Sequence, residues 1–336
     1  MTDLRPDQIL FQMLTGAWVT KSLAVVTELR VPDLLKNGPQ NVSQLALASG
    51  TQEEYLYRVL RMLAGVGAFT ELPNRSFALT PITEMLVEGA PHGMRNMVLA
   101  LAFGEHWNAW TKLTDVVRNG GIAIDLAEGC DIWEYFRQHP DRATIFDAAM
   151  TDFTMQSNAT ITQCFEFGQY KRVCDVGGGH GALVVSILEA HPGVEGMVFD
   201  QEYVAEGARK LFAEKGLSGR ATAIGGSFFE SIAEGADIYT AKNIIHDWDD
   251  EKSLTILKNI RKVIPASGRL LLLELMVGPA NIPDPGKFMD VNMMAMTGGR
   301  ERTAEQFSVL FEASGFTLGR VIPTQSPVFI VEGVPA

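Results

Sequence analysis

Hydrophobic positions follow two different periods along the chain, and the change falls near residue 170. Before it, apolar residues recur at helical spacing, as in residues 9–30 and in YLYRVLRMLAGVG at 55–67. After it, short apolar runs such as RVCDV at 172–176 and RLLLLELMV at 269–277 alternate with amphipathic helical segments. Strands that alternate with helices indicate a doubly wound parallel sheet. The chain is therefore predicted to be mainly helical first and α/β afterwards.

The last two strand candidates differ from the others in how they are joined. TLGRVIPT at 317–324 and SPVFIVEGV at 326–334 are separated by too few residues for a crossover helix. Strands joined so closely pair antiparallel. The predicted fold class is therefore α/β: a Rossmann-like, doubly wound, mostly parallel sheet with an antiparallel terminal hairpin.

Residues 1–90 combine helices with one small hairpin. Ser43 is predicted to cap a helix that stops at Gly50, and TQEE at 51–54 fits a capping box for the next helix. Two strand-like pieces follow, AFTEL at 68–72 and SFAL at 76–79. Helix, helix and two-stranded wing make up the arrangement of a winged helix.

Winged helices often bind DNA, but the charges of this one argue against that function. The predicted helix and wing offer Arg58, Arg61 and Arg75, with Glu53 and Glu54 beside them. The whole chain has a formal net charge of −12 and a pI near 5.0. Because phosphate contacts need basic side chains, no nucleic-acid partner is expected. The region is predicted to serve packing or dimerisation instead.

Composition suits a soluble enzyme with a large core, since the 336 residues are 46% hydrophobic and 20% charged. The apolar runs are shorter than the ~20 residues that span a bilayer, and no signal-peptide layout is present, so no membrane association is expected. Cys130, Cys164 and Cys174 are isolated in the sequence, which indicates reduced thiols in a cytoplasmic protein. They offer no metal-ligand spacing, and no metal is predicted.

A glycine-rich loop, DVGGGHGA at 175–182, lies between a predicted strand and a predicted helix. Such a loop lets the backbone approach a nucleotide-like ligand closely. Gly177, Gly179 and Ala182 fit the dinucleotide fingerprint, and Asp200 could bind a ribose, so a nicotinamide-dependent dehydrogenase is one hypothesis. However, Asp175 is poorly placed for a pyrophosphate. It suits the sulfonium and ammonium groups of S-adenosylmethionine better.

The segment NIIHDWDD at 243–250 places His246 at the end of a predicted strand. Ligands of open α/β sheets bind at that end of the strands, which favours a general base over a purely structural histidine. Asp249 and Asp250 are explained by capping and dipole effects at the start of the next helix. Asp247 fits either interpretation.

Together these motifs resemble those of class I S-adenosylmethionine-dependent O-methyltransferases of the caffeic acid and acetylserotonin type, including bacterial members that tailor natural products. The resemblance covers nearly the whole chain. It is carried by five motifs: DVGGGHG at 175–181, FD at 199–200, KNIIHDWDDE at 242–251, LLELMV at 272–277 and GGRERTAEQF at 298–307.

The resemblance implies roles for residues at the matching positions. The implied catalytic residues are a base, His246, and two flanking carboxylates, Glu274 and Glu301. The implied cofactor-binding residues are Asp175, Gly177, Gly179, Asp200, Ser227, Phe228 and Lys242. The implied substrate-binding residues are Met150, Asn292 and Met296. Ser227 departs from the family pattern, in which an acid stands at this position beside the adenine.

The resemblance also implies an organisation and an activity. A winged-helix-like dimerisation domain is expected at 1–95, a helical connector that contributes to the substrate pocket at 96–165, and an S-adenosylmethionine-binding catalytic domain at 166–336. The implied enzyme methylates a hydroxyl of a small aromatic molecule and acts as a cytoplasmic homodimer. The alternatives are an NAD(P)-dependent oxidoreductase and a family member diverted to chemistry other than methyl transfer.

Overall fold

Two units make up the protein, which a computed structural model describes at residues 5–91 and 93–336. The first unit contains the described residues up to Asn108 together with Glu134–Phe153. The second unit contains Ala109–Trp133 and Thr154–Ala336. Each unit therefore takes its residues from more than one segment of the chain.

Helices dominate the chain before residue 165, as the periodicity predicts. A small sheet with strand order β1-β3-β2 accompanies them, and both of its pairings are antiparallel. The strands are β1 (Gln40–Asn41), β2 (Phe69–Leu72) and β3 (Ser76–Leu79). The helices are α1 (Pro6–Glu28), α2 (Val31–Leu35), α3 (Val42–Ser49), α4 (Glu53–Gly65), α5 (Pro81–Glu84), α6 (Arg95–Leu101), α7 (Gly104–Trp110), α8 (Leu113–Asn119), α9 (Ala123–Glu128), α10 (Ile132–Gln138) and α11 (Pro140–Cys164).

The caps of α3 and α4 differ from those that the sequence predicts. Asn41, rather than Ser43, caps α3, because its side chain accepts a hydrogen bond from the backbone nitrogen of Ser43. Helix α4 begins after Gln52 and has no side-chain cap, so the capping box expected at Thr51 is absent. Gly50 ends α3 in the left-handed conformation, as predicted.

Helix α1 exposes a row of large apolar side chains. Leu10, Phe11, Met13, Leu14 and Trp18 are each at least 60% exposed. By length and composition alone this 23-residue helix could cross a membrane, contrary to the prediction from the lengths of the apolar runs. Of its most apolar window, 11% is buried. An apolar surface of this kind marks a place where another surface packs.

A seven-stranded sheet forms the centre of the second unit, with strand order β6-β5-β4-β7-β8-β10-β9. The first five strands in that order pair in parallel, whereas β10 pairs antiparallel with both β8 and β9. The predicted fold class and its terminal hairpin are therefore confirmed. The strands are β4 (Arg172–Val176), β5 (Glu195–Asp200), β6 (Ala221–Gly225), β7 (Ile238–Lys242), β8 (Arg269–Glu274), β9 (Phe316–Pro323) and β10 (Phe329–Pro335). The helices of this part are α12 (Ala182–Ala190), α13 (Glu202–Glu214), α14 (Asp250–Val263), α15 (Pro285–Met296) and α16 (Ala304–Ser314).

The central strands are buried on both faces, which explains their continuous apolar sequences. Residues 270–273 of β8 are wholly inaccessible to solvent. Glu274 follows them as the last residue of β8, although the apolar run at 269–277 predicts a strand that continues past it. Its carboxylate therefore lies at the carboxyl edge of the sheet, where β4, β5 and β7 also end and where ligands of such sheets bind.

The α3 cap provides a test of the local fold. We expect Asn41→Ala to lower the free energy of unfolding by about 1 kcal/mol, because it removes the acceptor for the first turn of α3. Ser43→Ala should change it by less than about 0.5 kcal/mol, since Ser43 is exposed. Denaturant titration of both variants measures the difference. Equal losses would contradict the assignment of the cap to Asn41.

Candidate active site

The glycine loop leaves β4 in a conformation that few other residues adopt. Gly177 has φ +68° and Gly179 has φ +58°. A Cβ atom at position 177 would lie 2.4 Å from Cδ1 of Ile244, so the loop passes directly over the segment that follows β7. The backbone nitrogen of Gly179 donates to Oδ2 of Asp200 at 2.8 Å. The fold thus brings together three of the residues predicted to bind a cofactor.

Asp200 is held by backbone donors at the end of β5. Its Oδ1 accepts from the nitrogen of Gln201 at 2.7 Å, while Oδ2 accepts from Gly179. Burial raises the pKa of the Asp200 carboxyl, and the two backbone hydrogen bonds oppose that rise. Each carboxylate oxygen has a second lone pair, so Asp200 can still accept hydrogen bonds from ligand hydroxyls.

Asp175 and Lys242 lie beneath the loop, in surroundings that disfavour charge. Asp175 is 2% exposed, its Oδ1 accepts from the Thr240 hydroxyl at 2.7 Å, and burial raises its pKa to about 7. Burial also lowers the pKa of Lys242 to about 7, although Asp175 opposes this. Nζ of Lys242 donates to Oδ1 of Asn158 at 2.9 Å and to the carbonyl of Thr154 at 3.3 Å. This lysine is therefore held by neutral acceptors.

Ser227 and Phe228 follow β6 and open a turn. The backbone nitrogens of Glu230 and Ser231 donate to the carbonyl of Ser227. The ring of Phe228 packs edge-on against Trp248, with 6.2 Å between ring centroids. Phe228 thus forms an apolar wall beside the segment that carries His246.

The three predicted catalytic side chains meet in one buried cluster. His246 lies in a 3-10 turn, Ile245–Asp247, just beyond β7. Its Nδ1 lies 2.7 Å from Oε1 of Glu301, a hydrogen-bond distance, and 3.7 Å from Oε2 of Glu274. The side chains of both glutamates are 0% exposed. Residues 55 positions apart are therefore joined by the fold at a single imidazole nitrogen.

The other ring nitrogen of His246 faces Asp247, which was not among the predicted site residues. Nε2 lies 3.7 Å from Oδ1 of Asp247, whose side chain is 15% exposed. The sequence signal was its position next to His246, but the side-chain direction within a 3-10 turn could not be read from spacing. Both glutamates lie on the Nδ1 side, so the carboxylate nearest to Nε2 is that of Asp247.

One physical cause explains the electrostatics of this cluster: three carboxyls and one imidazole share a site that is screened from water. Burial alone would lower the pKa of His246, but Glu274, Asp247 and Glu301 raise it to about 10. Burial raises the pKa of Glu274 to about 7 and that of Asp247 to about 6, against the attraction of His246. The cluster thus holds protons more tightly than its members do in water, because a buried net negative charge is unfavourable.

Glu274 fixes the turn as well as facing the imidazole. Its Oε1 accepts from the backbone nitrogens of Ile244 and Ile245, at 3.2 and 2.8 Å. Oε2 of Glu274 and Oε2 of Glu301 are buried and have no hydrogen-bond partner among the described residues. Ligand atoms of His246, Glu274 and Glu301 all lie within 4.8 Å of one another, a spacing that a metal ion could also bridge. The 2.7 Å contact between two of them fits a shared proton.

Helix α15 carries two of the predicted substrate-binding residues. Oδ1 of Asn292 accepts from Nε1 of Trp110 at 3.3 Å, whereas Met296 is 2% exposed and lies in the core. The same helix positions Glu301, because Oδ1 of Asp290 accepts from the Glu301 nitrogen at 3.0 Å. The third predicted residue, Met150, lies in the first unit, on α11, where it is half-buried.

Two family models match the chain. One is described as an O-methyltransferase domain and matches residues 110–317. The other is described as an O-methyltransferase dimerisation domain and matches residues 11–89. The second match includes most of α1 and, apart from Leu10, its exposed apolar row.

Curated relatives align with nearly the whole chain. The phenazine O-methyltransferase of Lysobacter antibioticus is 38% identical over 98% of this chain and 96% of its own length. The mitomycin biosynthesis 6-O-methyltransferase of Streptomyces lavendulae is 33% identical, over 97% and 94%. The phenazine-1-carboxylate N-methyltransferase of Pseudomonas aeruginosa is 31% identical, over 96% and 95%. Relatives of this chain thus include enzymes named for methylation of oxygen and of nitrogen.

Solved structures give the same family. The crystal structure of LaPhzM superposes with a TM-score of 0.92 at 37% identity, covering 99% of this chain and 100% of the other. An O-methyltransferase of neocarzinostatin biosynthesis, solved with S-adenosylmethionine and 2-hydroxy-5-methyl naphthoic acid, gives a TM-score of 0.82 at 29% identity, over 94% and 96%. These matches decide between the two ligands that the glycine loop left open, in favour of S-adenosylmethionine.

The electrostatics of His246 can be tested without a substrate. We expect nuclear magnetic resonance of histidine-labelled protein to give His246 a pKa well above 6.5, with the signal assigned by its loss in His246→Gln. Glu301→Gln should lower that pKa, because a neutral amide no longer stabilises the imidazolium. Glu305→Gln, an exposed change four residues away, is the matched control. An unchanged His246 pKa in Glu301→Gln would show that the contact has no electrostatic effect.

Proposed function

This chain belongs to the O-methyltransferase family, and we propose that it transfers the methyl group of S-adenosylmethionine to a hydroxyl of a small aromatic molecule, with His246 as the general base. The observation that carries the proposal is the buried hydrogen bond between Nδ1 of His246 and Glu301. A carboxylate there fixes the tautomer of the ring, and Nε2 is left to accept a proton.

A general base such as His246 is needed because the hydroxyl acceptor is a weak nucleophile. A phenolic hydroxyl has a pKa of ~10, as tyrosine does, so it is a weak nucleophile until its proton is removed. The carboxylates around His246 raise the pKa of the imidazole, so they increase its affinity for the proton that the phenol must lose. Glu301 and Glu274 would stabilise the imidazolium that forms. An apolar residue in place of either would remove one of the three carboxylates that balance that charge.

The cofactor residues are proposed from their positions around the loop. When bound, S-adenosylmethionine supplies an electrophilic methyl group and a neutral thioether leaving group. Gly177 and Gly179 would let the backbone approach its methionine portion, and Asp200 would accept hydrogen bonds from the ribose hydroxyls. Phe228 would cover the adenine, and Ser227 would offer it a hydroxyl. Asp175 and Lys242, held beneath the loop, would complete the site.

The acceptor is proposed to be an oxygen rather than a ring nitrogen. An aromatic ring nitrogen that is methylated on its lone pair carries no proton, so its reaction needs no base. A phenol does need one, and this chain has His246 with Glu274 and Glu301 around it. Relatives are named for phenazine, mitomycin and naphthoate substrates, which supports a small aromatic acceptor. Asn292 and Met296, both on α15, are proposed to line its pocket.

We further propose that the active form is a cytoplasmic homodimer. The match to a dimerisation domain at 11–89 covers most of α1. A second copy that packs on Leu10, Phe11, Met13, Leu14 and Trp18 would remove their apolar surface from water, which is favourable for association.

A panel of matched acceptors tests the reaction. We expect mass spectrometry to find products heavier by one methylene, about 14 Da, from polycyclic phenols, and no reaction with the matching N-heterocycles that lack a hydroxyl. Formation of S-adenosylhomocysteine should accompany each product. Methylation of the N-heterocycles alone would contradict the proposed acceptor and the need for a base.

Removing the base tests the role of His246. His246→Gln should lower kcat by about 10²–10⁴-fold, the usual contribution of general base catalysis. Affinity for S-adenosylmethionine, measured by calorimetry, should stay within about twofold, since the glycine loop and Asp200 are untouched. His139→Gln, a change at an exposed histidine, serves as the control. Full activity of His246→Gln on the best acceptor would refute the assignment.

A further inference from the structure

Arg302 is the largest fully buried side chain of the described chain, with 1% of its surface exposed. It directly follows Glu301, and Gly299 and Arg300 precede that residue in the same loop. Burying a guanidinium is unfavourable unless its donors are paired, so its surroundings must supply acceptors. Those acceptors belong to the turn that carries His246 and to the segment that follows it, including the start of α14.

The guanidinium of Arg302 binds both sides of that turn. Its Nη1 donates to the carbonyl of Ile245 at 2.9 Å, and its Nη2 donates to the carbonyl of Trp248 at 2.9 Å. These two carbonyls bracket His246 and Asp247. Nη2 also donates to Oδ1 of Asp250 at 2.8 Å, which neutralises the buried charge, and to Oγ of Ser253 at 3.2 Å.

The backbone around Arg302 holds the same segments together. The nitrogen of Arg300 donates to the carbonyl of His246 at 2.9 Å, and a Cβ atom on Gly299 would lie 2.0 Å from that carbonyl oxygen. The carbonyl of Arg302 accepts from the nitrogen of Val277 at 3.1 Å, three residues beyond Glu274. One short loop thus contacts the segments of His246 and Glu274 while it carries Glu301.

We propose that Arg302 is a positioning residue, which locks the His246 turn against the Glu301 loop and so sets the contact between the imidazole and its carboxylate. The catalytic importance of Arg302 rests on the proposed function, whereas its effect on the position of His246 does not. Asp250 acquires a second role, since it pairs with Arg302 as well as lying in the first turn of α14.

Only arginine supplies what this position uses. The two carbonyls are reached by separate nitrogens of one rigid plane, and the carboxylate accepts from Nε as well as from Nη2. Lysine offers a single ammonium on a flexible stem and cannot hold both carbonyls in fixed directions. An uncharged residue of similar length would remove the shortest hydrogen bond of each carbonyl and leave longer ones, of 3.3 and 3.4 Å, which is costly in a buried place.

The charges around His246 make the proposal testable, because a charge effect and a positioning effect of Arg302 would shift the His246 pKa in opposite directions. The imidazole is faced by Asp247 from its own turn, by Glu274 from the end of β8 and by Glu301 from the loop. If Arg302 acted only through its positive charge, its removal would raise the pKa of His246. If it acts by positioning, the Glu301 contact lengthens and that pKa falls.

The experiment compares Arg302→Lys with Arg302→Met in the full-length protein. Histidine-labelled nuclear magnetic resonance measures the His246 pKa, circular dichroism checks folding, and kinetics on the best phenol give kcat and KM. We expect the His246 pKa to fall by about one unit or more in Arg302→Met, and less in Arg302→Lys. We expect kcat to fall by about 10- to 100-fold while KM for S-adenosylmethionine stays within about twofold.

Two variants keep the test decisive. Arg300→Met removes an arginine two residues away that also faces Asp250, at 3.9 Å, but is exposed, so it should change neither quantity. Arg302→Lys keeps the positive charge, so if Arg302→Met does not fold, a fall of the His246 pKa in Arg302→Lys reports lost positioning rather than lost charge. An unchanged or raised His246 pKa in a folded variant of Arg302 would overturn the proposal.

The same data separate this proposal from the proposed function. Because the His246 pKa is measured without an acceptor, a fall in Arg302→Lys supports positioning even if no phenol is methylated. Methylation of phenols by Arg302→Lys at the wild-type rate, with an unchanged His246 pKa, would leave the proposed function standing and remove Arg302 from it.

Discussion

The buried contact between Nδ1 of His246 and Glu301 is the interaction on which the rest of the site depends. A carboxylate and an imidazole that share a proton away from water must be held within a few tenths of an ångström. The chain meets this demand with backbone groups. Glu274 accepts from two nitrogens of the histidine turn, and Asp290 accepts from the Glu301 nitrogen. The polar cluster is therefore anchored to β8 and α15 rather than to mobile side chains.

The parallel sheet explains why residues so distant in sequence meet. Strands β4, β5, β7 and β8 end at one edge, so the glycine loop, Asp200, the His246 turn and Glu274 emerge there together. Close packing joins the two halves of this edge, since Gly177 leaves room for Ile244, two residues before His246. The cofactor loop and the base are thus parts of one packed layer, and a substitution in one alters the packing of the other.

The part of the site that could be predicted from the sequence consists of motifs in which a chemically reactive residue type stands at or near the end of a strand. His246, Glu274 and Glu301 were expected to act together, and the fold does bring them to one place. The local details were less predictable. Ser43 and Thr51 have the right side chains for capping, yet Asn41 and an uncapped Gln52 occupy those positions. Asp247, passed over as ambiguous, faces the second ring nitrogen, and Asp250 pairs with Arg302. Side-chain direction in a turn depends on one or two backbone angles, which composition does not fix.

The sequence by itself determined the order of helices and strands, the parallel sheet with its antiparallel end and the family, because periodicity and motif spacing are properties of the chain. Only the tertiary structure decided which carboxylate contacts which imidazole nitrogen and how Arg302 is used. Those contacts join segments more than 25 residues apart, so they arise from packing. A buried charge takes its role from the partners around it, and those partners are known only once the chain has folded.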